Sequence, residues 1–175
     1  LVQGASGGVG IAAVQIAKAM GAKVIGNAST EEKRAWVLAQ GADHAVDYTQ
    51  PDWPDQVKAL NGGNGVNAII DGVGGDAFVR SFECLAQGGF ICVFGASGGR
   101  EVTLNLTALF RSRGGVLAAA GVGSSREDFI QMLDLFSKGK LKTTVEKIMP
   151  LADAAEAHKL IEERKVIGKI VLKVS

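Results

Sequence analysis

LVQGASGGVGIAAVQIAKAM, residues 1–20, decides the fold because it reads as a strand, a glycine-rich turn and a helix in immediate succession. Leu1-Val2-Gln3 is typical of the end of a buried strand, and apolar residues recur at helical spacing from Gly8 onward. Glycines in such a turn let the backbone approach an anion closely, and the first N–H groups of the helix point at that anion. The stretch therefore predicts a pyrophosphate-binding turn.

The spacing of the glycines leaves the type of turn open. It departs from the strict G-x-G-x-x-G pattern because Ala5 stands where the first glycine belongs. It also fits G-x-x-x-G-x-G, through Gly4, Gly8 and Gly10. Taken alone, the same residues are also consistent with a tight strand–helix turn that binds no ligand.

Composition excludes several classes of protein. A net charge of +1 over 175 residues gives no electrostatic case for binding nucleic acid or an anionic membrane. The two cysteines, Cys84 and Cys92, form no C-x-x-C pair, which suits a reducing cytoplasm. No apolar run is long enough to cross a bilayer. Because the chain opens inside a strand, with Leu1, we expect a preceding segment.

Strand and helix patterns alternate along the chain. Predicted strands cover residues 23–27, 44–47, 66–71, 90–94, 116–122 and 169–174, with a short extended segment at 147–150. Predicted helices cover residues 8–20, 31–40, 55–60, 75–85, 104–113, 126–138 and 152–164. This alternation predicts an α/β, doubly wound parallel sheet with helices on both faces.

Ligands of such sheets bind at the carboxyl ends of the strands. Most of the predicted strand ends carry small residues, as a crevice for a long, flat cofactor requires. These ends are the glycine turn, Asn27-Ala28-Ser29-Thr30, Tyr48, Gly72-Val73-Gly74 and Gly95-Ala96-Ser97.

The second strand end predicts which dinucleotide binds. NAD sites usually place Asp or Glu there, on the ribose hydroxyls, but residues 27–29 are Asn, Ala and Ser. Ser29, Lys33 and Tyr48 instead suit the 2′-phosphate of NADP. The alternative is that Ser29 is a loop residue and Lys33 a solvated helix residue.

Five segments together resemble the quinone oxidoreductase branch of the zinc-independent medium-chain dehydrogenase/reductase superfamily. They are GASGGVG at 4–10, GADHAVDY at 41–48, DGVGG at 71–75, FGASG at 94–98 and GKIVL at 168–172. The resemblance spans the whole chain in order. It implies a six-stranded Rossmann domain at 1–145 and a C-terminal helix and strand at 146–175 that return to a missing N-terminal catalytic domain.

The resemblance also implies NADP as cofactor and hydride transfer from NADPH to a small molecule, either a quinone, an enone or an enoyl thioester. A homodimer would form through strand 116–122. The cofactor-binding residues that the strand ends and the resemblance predict are Ser6, Gly7, Gly8, Val9, Asn27, Ser29, Lys33, Tyr48, Gly72, Val73, Phe94, Gly95, Ala96, Ser97, Gly168 and Lys169.

Three other classes of protein share some of these sequence features. A short-chain dehydrogenase needs Tyr-x-x-x-Lys, but the single tyrosine, Tyr48, is followed four residues later by Asp52. A fragment of a zinc-dependent alcohol dehydrogenase and a non-catalytic nucleotide-binding protein both stay open. No catalytic residue and no metal ligand is predicted.

Several side chains that could take part in catalysis are instead expected to have structural roles. His44 and His158 lack a carboxylate or cysteine partner at motif spacing. The two cysteines are expected to be inert thiols, and Asp71 to cap a turn. Trp53, between Pro51 and Pro54, is expected to cover a surface edge.

Overall fold

The computed structural model describes residues 1–111, 116–119 and 125–174. Its helices are α1 (Gly8–Ala19), α2 (Glu31–Ala39), α3 (Trp53–Leu60), α4 (Gly75–Ser81), α5 (Leu106–Arg111), α6 (Arg126–Ser137) and α7 (Ala154–Glu162), the last preceded by a 3₁₀ turn at Leu151–Asp153. Its strands are β1 (Ile25–Asn27), β2 (His44–Val46), β3 (Val66–Asp71), β4 (Leu85–Val93), β5 (Val116–Ala119), β6 (Val145–Pro150) and β7 (Lys169–Lys173).

Val2 joins the strands of the main sheet. β1 pairs with β2, and β3 pairs with β4, which pairs with β5, all in parallel. Val2 forms parallel bridges to Gly26 of β1 and to Ile70 of β3. The resulting order, β2-β1-Val2-β3-β4-β5, is that of a doubly wound Rossmann sheet, so the predicted fold class is confirmed.

Neighbouring strand residues enter different cores, because successive side chains of a strand point to opposite faces. Leu1, Ile25 and Val46 belong to a core that contains side chains of α3 and α4. Val2 and Val24 belong to a second core with side chains of α1 and α2. The sheet is therefore covered by helices on both faces.

The connection from α4 to β4 differs from its prediction. The helix ends at Ser81 rather than near Leu85, and the strand begins at Leu85 rather than at Phe90. Strand pairing explains the difference. Leu85 lies in register with Val66 of β3, so the strand begins before Gly88 and Gly89, where the sequence pattern placed its start.

The position of Trp53 also differs from its prediction, because this residue does not cover a surface edge. Its side chain is 1% exposed and belongs to the core beside α3 and α4. Helix α3 begins at Trp53 itself, two residues earlier than predicted, since Pro54 is tolerated in a first helical turn.

The C-terminal strands form a sheet of their own. β6 pairs in parallel with β7, and the Gly168 N–H donates to the Ser6 carbonyl across 2.9 Å. This bond connects the C-terminal segment to the glycine turn. The boundary at 145/146 stays a prediction, and residues 112–113 and 120–122 of the predicted helix and strand lie outside the described residues.

Candidate dinucleotide-binding site

A cleft of about 800 Å³ lies where the glycine turn, the end of β1 and the connection from α7 to β7 meet. That volume falls within the usual range for ligand pockets, about 300–1,000 Å³. The predicted site residues that line it are Ser6, Gly7, Gly8, Asn27, Ser29, Lys33, Tyr48, Val73, Ser97, Gly168 and Lys169. The fold thus gathers most of the predicted set into one cavity.

The start of α1 faces this cleft without a capping side chain. Gly7 is the N-cap residue and has no side chain to accept from the first N–H groups of the helix. The first turn of α1 contains no acidic residue. The positive end of the helix dipole is therefore available to an anion at Gly7 and Gly8.

Cationic and phenolic groups meet at the other end of the cleft. Lys33 is 9% exposed, and its Nζ donates to the Arg164 carbonyl. The Arg164 Nη1 donates to the Tyr48 hydroxyl at 3.2 Å. Lys33 is therefore not the solvated helix residue of the alternative interpretation, because the connection after α7 covers it. Ser29 lines the same cavity.

Asn27 presents a buried acceptor at this site. Its Nδ2 donates to Gln3 Oε1 at 2.9 Å, whereas its Oδ1 has no hydrogen-bond partner within the described part of the chain. Buried polar atoms in native proteins are nearly always paired. The cleft therefore suits a ligand that carries a hydroxyl donor.

The C-terminal segment crosses the glycine turn. A parallel bridge joins Gly7 to Gly168, and the Lys169 side chain lies over the start of α1. A Cβ added to Gly8 would stand 2.8 Å from Lys169 Nζ. This lysine places a positive charge beside the helix N-terminus, where a pyrophosphate is favoured.

The ends of β3 and β4 contribute less to the cleft than predicted. Val73 and Ser97 line it, and the Ser97 Oγ donates to the Gly72 carbonyl at 3.2 Å. The lining does not include Gly72, Phe94, Gly95 or Ala96, which lie beside those two residues; the Phe94 ring packs against Gly72. Val9 also lies outside the lining, on α1, with its side chain exposed.

Asp71 has the turn-capping role that the sequence predicts. Its Oδ1 accepts from the Val73 and Gly74 N–H groups, at 2.7 and 3.1 Å. Burial raises the pKa of Asp71, and those two backbone hydrogen bonds oppose the shift.

Sequence reasoning missed seven lining residues: Gly4, Ala28, Ile161, Glu162, Arg164, Val166 and Ile170. Ala28 and Ile170 adjoin predicted residues and Gly4 belongs to the glycine turn, so all three could have been included on that ground. Arg164 carries no local signal, because its contact with Lys33 spans 131 positions of sequence.

Two features are absent from the described ranges, 1–111, 116–119 and 125–174. Among these residues there is no group of three or more His, Cys, Asp or Glu side chains that could hold a metal ion. Their helices include none that is long and apolar enough to span a membrane.

Known proteins resemble this chain along nearly its whole length. "Quinone oxidoreductase 1" of Escherichia coli strain K12 is 33% identical over 98% of the chain. A crystal structure of an NAD-dependent alcohol dehydrogenase matches with a TM-score of 0.90 and 42% identity over 99% of this chain and 50% of its own. E. coli quinone oxidoreductase complexed with NADPH matches with a TM-score of 0.84 and 32% identity over 97% and 56%.

These matches confirm the resemblance to quinone oxidoreductases that the motifs indicate. The chain spans about half the length of the curated relatives it matches, 55% in the case of the E. coli enzyme. The sequence profile of the zinc-binding dehydrogenases matches residues 8–138, which is more than half of the chain. On this match, together with the sheet order and the glycine turn, the chain belongs to the zinc-binding dehydrogenase family.

Proposed function

We propose that this chain is the NADPH-binding part of an oxidoreductase that transfers hydride to a quinone, an enone or an enoyl thioester. One observation carries the proposal: a single cleft joins an uncapped helix start to the cluster of Lys33, Tyr48 and Arg164. The two ends suit the two anionic groups of NADP, its pyrophosphate and its 2′-phosphate. The relative that was crystallised with NADPH supports the same cofactor.

The proposed roles follow the geometry. Ser6, Gly7 and Gly8 bind the pyrophosphate, with Val9 in the same turn and Gly168 and Lys169 closing over it. Ser29, Lys33, Tyr48 and Arg164 bind the 2′-phosphate. Val73 and Ser97 lie at the nicotinamide end, with Gly72, Phe94, Gly95 and Ala96 behind them. The bound cofactor would supply the hydride, and the chain's own residues orient it.

A second candidate cofactor is NAD, because the NAD-dependent alcohol dehydrogenase is 42% identical to this chain over the half of that enzyme that aligns. Residues 27–29 offer no carboxylate to the ribose hydroxyls, which argues against NAD. Glu162 lines the cleft and is an acid that NAD could use. The charge balance among Lys33, Arg164 and Glu162 therefore makes cofactor preference the sharpest test.

Arg164→Gln tests the 2′-phosphate site, because Arg164 lines the cleft and its guanidinium donates to the Tyr48 hydroxyl there. We expect affinity for NADPH to fall about tenfold, and affinity for NADH to stay unchanged, since a charged hydrogen bond to the 2′-phosphate is lost. Titration of nicotinamide fluorescence with both cofactors measures the ratio. An equal loss for both cofactors would contradict the assignment.

Lys165→Gln is the matched control. It removes the neighbouring cation, whose Nζ pairs with Glu163 at 2.6 Å and which does not line the cleft. Its affinities should equal those of the unsubstituted chain. If neither protein binds NADPH or NADH, the dinucleotide site itself is wrong.

Because the curated relatives are nearly twice as long as this chain, the proposed activity is assayed on a protein of their full length that contains it, with NADPH and a quinone. Metal analysis of that protein separates the proposed zinc-independent reductase from a zinc-dependent alcohol dehydrogenase, and binding without turnover would indicate a nucleotide-binding protein.

We further propose a cytoplasmic protein that forms a homodimer through strand 116–122, of which β5 is the described part. Sedimentation of the longer protein tests the dimer.

A further inference from the structure

Three buried side chains form a hydrogen-bonded relay behind the cleft. Asn27 Nδ2 donates to Gln3 Oε1, and Gln3 Nε2 donates to Ser81 Oγ, both at 2.9 Å. Ser81 Oγ donates to the Ala77 carbonyl at 2.8 Å. Asn27, Gln3 and Ser81 are each at most 1% exposed, and Gln3 and Ser81 do not line the cleft.

The Ala77 carbonyl fixes the direction of this relay, because a carbonyl oxygen only accepts. Ser81 must then donate to Ala77 and accept from Gln3, and Gln3 must turn its oxygen to Asn27. Reversing both amides would leave two hydrogen bonds where the observed arrangement makes three. The network therefore favours one orientation of the Asn27 amide.

In that orientation, the side-chain oxygen of Asn27 accepts no hydrogen bond from the described residues. Oδ1 is buried and lacks a partner among the described residues, and Asn27 lines the cleft at the end of β1. In Rossmann sheets this strand end lies at the adenosine ribose. An amide oxygen can accept from a ribose hydroxyl as a carboxylate does, but it adds no negative charge beside a 2′-phosphate.

We propose that Gln3 and Ser81 are positioning residues, which hold the Asn27 amide so that its oxygen accepts a hydrogen bond from the 3′-hydroxyl of a 2′-phosphorylated ribose. The inference rests on the proposed function, because it requires NADP or a related nucleotide in the cleft. It assigns a role in cofactor recognition to two residues that do not touch the cofactor.

The test compares two probes, adenosine 2′-monophosphate and its 3′-deoxy-3′-fluoro analogue, which cannot donate from the 3′ position. Calorimetry on the unsubstituted chain should give about tenfold weaker binding of the fluoro analogue. In Ser81→Ala the two orientations of the Asn27 amide become equivalent, because Gln3 loses its acceptor. Half of the chains then present the competent orientation, so the difference between the probes should fall about twofold, to about fivefold.

Ser137→Ala is the matched control, since the Ser137 Oγ also donates to a helix carbonyl, that of Asp134 at 2.8 Å, but on exposed α6. It should keep the tenfold difference. An equal difference in Ser81→Ala and the unsubstituted chain overturns the inference and leaves the proposed function standing. If the unsubstituted chain binds neither probe, the proposed function fails, and the inference fails with it.

A measurement on the unsubstituted chain covers the case in which Ser81→Ala does not fold. The ¹³Cγ resonance of Asn27 should shift when adenosine 2′-monophosphate binds, because its carbonyl gains a hydrogen bond. The fluoro analogue should leave that resonance in place. Equal shifts with both probes, or none with either, would overturn the inference.

Discussion

Helices α1 and α6 are both twelve residues long, yet they are stabilised in opposite ways. α1 buries Gly10, Ile11, Val14 and Gln15 and starts at an uncapped glycine. α6 has no buried residue among its twelve but starts with a capping box. α1 therefore depends on tertiary packing, whereas α6 depends more on its own terminus.

The difference has a functional consequence. A helix that a side chain caps has one of its first N–H groups already satisfied, as Ser125 Oγ satisfies that of Asp128 in α6. A helix that the sheet holds in place can leave such groups to a ligand, as we propose for the Gly8 N–H of α1; the Gly7 N–H already donates to the Gly4 carbonyl at 3.0 Å. Packing and the proposed anion binding are thus linked in α1, and substitutions in the two helices should separate them.

The largest expected effect is that of Ile11→Ala in α1, compared with Ile130→Ala in α6. Ile11 is 2% exposed and Ile130 is 52% exposed. Truncating the buried residue should lower the free energy of unfolding by about 3 kcal/mol, because it leaves a cavity. The exposed one should change it by less than about 0.5 kcal/mol. Urea unfolding measures both, and equal losses would contradict the comparison.

The next effect is that of Gly10→Ala. Helix propensity alone predicts a gain of about 1 kcal/mol, but a Cβ at Gly10 would stand 2.3 Å from the Gly4 carbonyl oxygen. That oxygen belongs to the backbone, so we expect a net loss of about 2 kcal/mol in the free energy of unfolding.

Gly7→Ala is the control for this substitution. Its Cβ would stand 3.4 Å from the same Gly4 oxygen, and its φ of −80° suits alanine. We expect its free energy of unfolding to change by less than about 0.5 kcal/mol. A stabilised Gly10→Ala would show that the close approach of α1 to the turn is not a constraint.

Sequence patterns predict the sheet well because its strands are short apolar runs separated by glycine or proline. Thr30 and Ser125 cap the helices that follow them, and N-capping is a local interaction that sequence patterns can indicate. The failures come from contacts distant in sequence. Leu85 joins a strand through its pairing with Val66, and Trp53 is buried by residues that lie far from it along the chain.

The candidate site likewise contains residues that local sequence patterns predict and residues that only distant contacts bring to the cleft. Ser6, Asn27 and Tyr48 lie at or just beyond the ends of predicted strands, so the topology alone brings them to one edge. Arg164 reaches the cleft by the course of the C-terminal segment, which no local pattern encodes. Gln3 and Ser81 resemble ordinary polar residues in the sequence, and their significance depends on distances of 2.8 to 2.9 Å that only the fold supplies.

Alkaline pH gives the third effect, which tests how dry the core of the sheet is. Burial raises the pKa of Cys84 from 9.0 to about 12. Folding therefore favours the protonated thiol, and this contribution is complete below pH 9 and is lost as the pH rises toward 12. By pH 10 this titration should lower the free energy of unfolding by about 1.4 kcal/mol.

Cys84→Ala removes this titration, and Cys92→Ala, at a half-buried thiol, is its control. The slope between pH 9 and 11 should flatten in the first variant and stay in the second. Comparing variants cancels the titration of the lysines and the tyrosine that they share. Parallel curves for all three proteins would mean that water reaches Cys84.

The smallest effect is expected at the capping box of α6. Asp128 N–H donates to Ser125 Oγ at 3.1 Å, and Ser125 N–H donates to Asp128 Oδ2 at 2.9 Å. Ser125→Ala removes the first of these bonds and should cost about 1 kcal/mol. Because α6 is little packed, the loss should appear as local opening, with amide exchange about fivefold faster in its first turn and unchanged in α1. Faster exchange throughout both helices would instead mean that the two helices unfold as one unit, and that α6 depends on the sheet as much as α1 does.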